Sequence, residues 1–131
     1  MKIKYPTPEK IAEYNILLLN IIKAKKADKA QVLSYKKLAD VAEGCINLKG
    51  DIYDKAAFLL KEIVQKHPFA SGNRRTAFVV TKEFLVSNRA RISIKDEPKY
   101  AKVMTGIREN FYSDSEIKEW LKKGEIREFK R

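Results

Sequence analysis

Asp51-Ile52-Tyr53-Asp54-Lys55-Ala56-Ala57-Phe58-Leu59-Leu60-Lys61-Glu62-Ile63-Val64-Gln65-Lys66-His67-Pro68 is the stretch that decides how this chain folds. Ile52, Ala56, Leu59, Leu60 and Ile63 recur at helical spacing and form one apolar stripe. Asp51, with Asp54 three residues on, starts the helix. The helix must stop near His67, because the residue before a proline is pushed out of the right-handed helical region. A loop through Gly72 leads to another apolar helix, with Ala77, Val80, Phe84 and Leu85 inward and Ser87-Asn88 as its end.

Helical signals continue on both sides. Thr7-Pro8-Glu9 reads as cap, first-turn proline and acidic first turn, and Ile11, Tyr14, Leu18, Ile21 and Ile22 extend a helix from about Pro8 to Lys26. Ser34 caps a short helix with Leu38 and Val41 inward, ending at Gly44 as a left-handed stop. The linker Cys45 to Gly50 is the candidate irregular or flap segment. Downstream, Ile92-Ser93-Ile94 is long enough only for an extended edge. Glu97-Pro98 opens a helix carrying Tyr100, Val103, Met104 and Ile107. Ser113-Asp114-Ser115-Glu116 is a capping box for the last helix, with Ile117, Trp120 and Leu121 inward and Gly124 as its stop. The prediction is all-α: a compact single-domain bundle of about six helices over residues 1–131, with a short flap.

Composition narrows the function classes. The 131 residues carry 28 Lys+Arg against 17 Asp+Glu, a formal charge of +11, which favours an anionic partner. The basic residues cluster at Lys23, Lys25, Lys26 and Lys29 and in the tail through Arg131, and a solvated lysine-rich surface is the plainer reading of them. No zinc knuckle, RNA-recognition signature or G-x-x-G loop accompanies the charge. A single cysteine, Cys45, excludes an internal disulfide and any Cys-based zinc site, which suits a reducing cytoplasm. No apolar run approaches the ~18–20 residues of a membrane span.

One loop carries chemistry: His67-Pro68-Phe69-Ala70-Ser71-Gly72-Asn73-Arg74-Arg75-Thr76-Ala77. It holds the only histidine and places Gly-Asn-Arg-Arg at a helix start. There the first amides lack intrahelical partners and the helix dipole is positive. Glycine lets an anion approach the backbone, and guanidiniums offer bidentate donors to phosphate. A histidine beside such a cradle suits general-base work near neutral pH. Each residue alone also has a structural reading: His67 as a helix C-cap, Phe69 as a core plug, Gly72-Asn73 as a turn, Arg74 and Arg75 as surface charge.

The string resembles the Fic/Doc motif, His-Pro-Phe-x-(Asp/Glu/Asn)-(Gly/Ala)-Asn-(Gly/Lys)-Arg, at His67, Pro68, Phe69, Gly72, Asn73 and Arg75. The similarity runs from about residue 44 to 123, the first helix being less distinctive, and implies a small helical bundle. It implies His67 as the base acting on a target-protein hydroxyl. Gly72, Asn73, Arg74 and Arg75 would form the nucleotide phosphate site, and Phe69 would be the loop anchor. ATP or another nucleoside triphosphate, with Mg²⁺, would be the cofactor. Ser71 stands where the family has an acidic residue or Asn that helps hold the metal, and a serine hydroxyl is a poorer ligand for Mg²⁺.

Arg74 in place of glycine, and Phe78 in place of a second arginine, resemble the Doc (death-on-curing) branch. That branch implies a toxin moving a phosphoryl group from ATP to a Ser/Thr hydroxyl of a translation elongation factor, silenced by an acidic or disordered antitoxin. Two alternatives stay open: AMP transfer to a protein hydroxyl, and a weakened relative that binds nucleic acid or an antitoxin complex. Ala39-Asp40-Val41-Ala42-Glu43-Gly44 also resembles the family's inhibitory helix except at its first place.

Overall fold

The structure, a computed structural model, describes residues 2–22, 30–95 and 97–130. Among these the chain forms α1 (Pro8–Ile22), α2 (Tyr35–Asn47), α3 (Ile52–Lys66), α4 (Asn73–Ser87), α5 (Lys99–Arg108) and α6 (Asp114–Lys123). The all-α bundle predicted from the sequence is what is found. α3 is its pillar: α2, α4, α5 and α6 all pack on it, and α1 lies across α2 and α4.

The ends of α3 follow from its sequence. The Asp51 carboxylate accepts from the amides of Tyr53 and Asp54, while Asp54 accepts from the Asp51 N–H, a reciprocal capping box. At the other end His67 leaves the helix in the left-handed region, at φ 51° and ψ 58°. Between them Ala56, Leu59, Leu60 and Ile63 are buried as their spacing predicts. Ala77, Val80, Phe84 and Leu85 meet them from α4. The Ser113 box and the left-handed Gly124 likewise bound α6 as expected.

Three expectations need correction, and a fourth lies outside the described residues. α2 does not stop at Gly44; it continues to Asn47, so Cys45 is a buried helical residue and the proposed 45–50 flap shrinks to a short turn. Gly44 serves packing, since a Cβ there would lie 2.5 Å from the Phe58 ring. α1 is described only to Ile22; Lys23 to Lys26, and the lysine cluster through Lys29, lie outside the described residues, as does Arg131. Its inward face is Ile11, Ala12 and Asn15, while Ile21 is 79% exposed. Residues 16–19 are apolar on every side, so periodicity could not choose the face. Finally, Ile92-Ser93-Ile94 pairs with no strand among the described residues. Ser93 instead donates its N–H to Leu121 O (2.9 Å) and its hydroxyl to Lys122 O (2.9 Å), closing the end of α6.

A lysine from α3 caps the end of α2. Lys55 is buried, and its ammonium donates to the carbonyls of Cys45 (3.0 Å), Ile46 (3.2 Å) and Leu48 (2.7 Å), 5.1 Å from the Tyr5 ring centre. Carbonyls that a helix leaves unpaired are thereby satisfied away from water. The same burial pushes the Cys45 thiol up to about 12, against the pull of Lys55, so it is an inert core residue. Lys55→Ala should cost about 2–4 kcal/mol in urea unfolding, because buried acceptors lose their donor. Lys36→Ala, at an exposed pair with Asp40, should cost less than about 1 kcal/mol.

Candidate active site

The loop between α3 and α4 is held from three sides. Leu33 N–H donates to Pro68 O (2.8 Å) and Ala70 N–H to Gln31 O (2.9 Å), around an antiparallel bridge between Val32 and Phe69. The extended segment beside the loop is therefore 31–33, not 45–50. From below, Phe69 is fully buried in the core. From α1, buried Asn15 donates to Ser71 O (2.9 Å) and to Thr76 Oγ1 (3.1 Å).

Gly72 is left-handed at φ 79°, and a Cβ there would sit 3.2 Å from both Asn15 Nδ2 and Leu19 Cδ2. The sequence reading gave this glycine to anion approach; the turn and the closeness of α1 already require it.

Asn73 faces inward. Its Oδ1 accepts from Phe69 N–H (3.0 Å), its Nδ2 donates to Phe69 O (2.9 Å), and Nδ2 lies 3.1 Å from His67 Nδ1. This side chain therefore organises the loop, and at an anion site Asn73 contributes its backbone. The two contacts to Phe69 fix which way the amide points, so the nitrogen facing His67 is a donor. His67 Nδ1 must accept, and the neutral ring then carries its proton on Nε2. His67 is exposed, and Nε2 has no protein partner among the described residues. Histidine is thus both the C-cap of α3 and a free imidazole edge.

That edge opens into a cleft of about 680 Å³, a size common for small-molecule sites. His67, Ser71, Gly72, Arg74 and Arg75 line one side; Tyr100, Met104 and Arg108 of α5 line the other. The start of α4 receives no side-chain cap at Gly72. Arg74 and Arg75 are exposed, with Arg74 Nη1 donating to Thr105 Oγ1 (3.2 Å). The sequence-predicted residues therefore meet at one place, apart from the Asn73 and Phe69 side chains, which turn into the protein.

The donor set does not fit a protein-held Mg²⁺. A hard dication calls for carboxylate oxygens, yet among the described residues no Asp or Glu lines the cleft and no group of three His, Cys, Asp or Glu could hold a metal. Ser71 is the loop hydroxyl that lines the cleft. Phe78 packs edge-on against Tyr100 at 5.3 Å, joining α4 to α5. Glu43, in the segment resembling an inhibitory helix, is exposed and does not line the cleft.

Sequence reading missed Asn15 and Arg108. Asn15 lies four residues beyond Ile11 on the inward face of α1, and a polar residue in that register needs a buried partner. Tyr100, Met104 and Arg108 repeat every four residues, which puts them on one stripe of α5.

The single histidine makes its tautomer readable. Proton–nitrogen correlation spectra of the imidazole should show the Nε2–H form in the neutral protein, and a neutral ring protonated at Nδ1 would contradict the Asn73 contact. Asn15→Ala should lower stability by about 1–3 kcal/mol in denaturant unfolding, since it leaves Ser71 O and Thr76 Oγ1 without this donor.

Comparison with curated proteins returns no match. A family model for the Fic/DOC family matches residues 4–85. The matched region begins before α1 and ends within α4, so it takes in the first helix, thought less distinctive, and leaves α5 and α6 outside. It contains the whole motif loop and the Asn15 that braces it. With more than half of its length matched, the chain belongs to the Fic/DOC family, whose members are typically nucleotide-transferring enzymes that modify proteins.

Proposed function

We propose that this protein transfers a phosphate-containing group from ATP, or another nucleoside triphosphate, to a Ser/Thr hydroxyl of a protein target. One observation carries the reading: the free edge of His67 and the uncapped start of α4, with Arg74 and Arg75, open into the same cleft. Backbone amides and guanidiniums there suit phosphate oxygens, and the imidazole lies where an incoming hydroxyl would enter.

The tautomer refines the role of His67. With Nδ1 accepting from Asn73, Nε2–H orients the hydroxyl by donating to its oxygen. Removing the hydroxyl proton at Nε2 requires the ring to take the other tautomer and break the Asn73 contact. Phosphoryl transfer passes through a loose transition state in which positioning and electrostatics dominate, so orientation alone is a large contribution.

Two features favour a Doc-type terminal phosphoryl transfer over AMP transfer. Arg74 adds a cation beside the helix start, and Phe78 is committed to Tyr100 where an AMP-transferring relative would place a second arginine. A translation elongation factor is the proposed target, in the cytoplasm, with an acidic or disordered antitoxin as the silencing partner of a +11 surface. A nucleic acid would join through that complex.

Incubation with a candidate elongation factor and ATP labelled in turn at the γ- and α-phosphate should label the target from the γ position. His67→Ala should reduce labelling by about 10²-fold or more. Label arriving from the α-phosphate would turn the assignment to AMP transfer. No labelling, with nucleic-acid binding that falls steeply with salt, would favour the binding-module reading.

A further inference from the structure

The cleft has two walls, and the second one carries a cation that no family pattern above includes. Arg108 closes α5 and lines the cleft with Tyr100 and Met104, opposite Arg74 and Arg75. α5 lies beyond the residues 4–85 that the family model matches. The two walls are joined, because Arg74 donates to Thr105 on α5 at 3.2 Å. Arg108 is half-exposed, and its ion pair with the adjacent Glu109, at 3.5 Å, is a surface contact of the weak kind that yields to a stronger anion.

The chemistry of the lining is one-sided. His67, Arg74, Arg75 and Arg108 line the cavity, and among the described residues no carboxylate does. Apart from the pairing of Arg108 with Glu109, the described lining would surround a divalent cation with guanidiniums rather than acids, whereas a polyphosphate meets charged donors from both walls. Guanidiniums stay protonated at any working pH and bind phosphate oxygens two at a time.

We propose that Arg108 joins Arg74 and Arg75 as a third ligand for the triphosphate, so that arginines from two helices do the charge neutralisation and the cleft binds a nucleoside triphosphate without a protein-held divalent cation. This rests on the nucleotide reading above and adds to it the source of the positive charge. Arg108 is a binding residue in this scheme; it takes no part in moving the proton.

Calorimetric titration of the purified chain with ATP, and separately with inorganic tripolyphosphate, tests it in Mg²⁺ and in EDTA. ATP affinity should change by less than about threefold between the two buffers. Arg108→Gln should weaken both ligands about tenfold, the loss of a charge-assisted contact. Lys82→Gln, on the exposed face of α4, removes the same charge elsewhere and should have little effect. Circular dichroism of each variant should match the parent, since both side chains are exposed.

Binding that vanishes in EDTA would overturn the metal-independent part. Weakening by Arg75→Gln with none from Arg108→Gln would overturn the role of Arg108 and leave the proposed function standing. If the parent chain binds neither ligand in either buffer, the nucleotide reading falls and this proposal with it.

Discussion

The amide of Asn73 is the contact on which the site depends. It pairs with both backbone groups of Phe69 and presents its remaining N–H to His67, so one side chain ties the first turn of α4, the loop and the imidazole together. The tie has strain to offset. His67 is held left-handed without being glycine, a conformation that costs about 1–2 kcal/mol. The buried hydrogen bonds around it each contribute about 1 kcal/mol and would cost more if left half-made. The loop keeps its shape because neighbouring elements over-determine it: strand-like pairing with 31–33, the buried Phe69 ring and the Asn15 brace.

This arrangement separates two jobs that the motif's residue order runs together. Side chains that look ready to bind an anion are partly scaffold: Gly72 gives a turn and room for α1, and Asn73 gives a hinge between backbone and imidazole. The start of α4 and the arginines line a cavity that holds no acid among the described residues, so electrostatics there favour a polyanion over a cation.

Lys55 shows the same principle far from the site. A cation buried against three carbonyls completes α2 where no glycine stop exists, and a buried charge persists because each of its donors is used. Local sequence at Gly44 suggests a helix end, yet the tertiary partner supplies the missing donors and the helix runs on. The Ser93 segment is the mirror case. It has a strand-like composition, but it spends its N–H on the end of α6.

The sequence by itself determined α3 and α6 from their capping boxes and apolar stripes, and α4 from its stripe, because capping and 3.6-residue periodicity are local physics. It also singled out the motif loop by residue type and order. Only the tertiary structure decided which face of α1 turns inward, where α2 ends, which way Asn73 points and that α5 brings Arg108 to the cleft. Each of those is settled by a partner distant in the chain, which local spacing does not encode: Asn15 by Ser71, the α2 carbonyls by Lys55, and the arginines of two helices by the cavity they share.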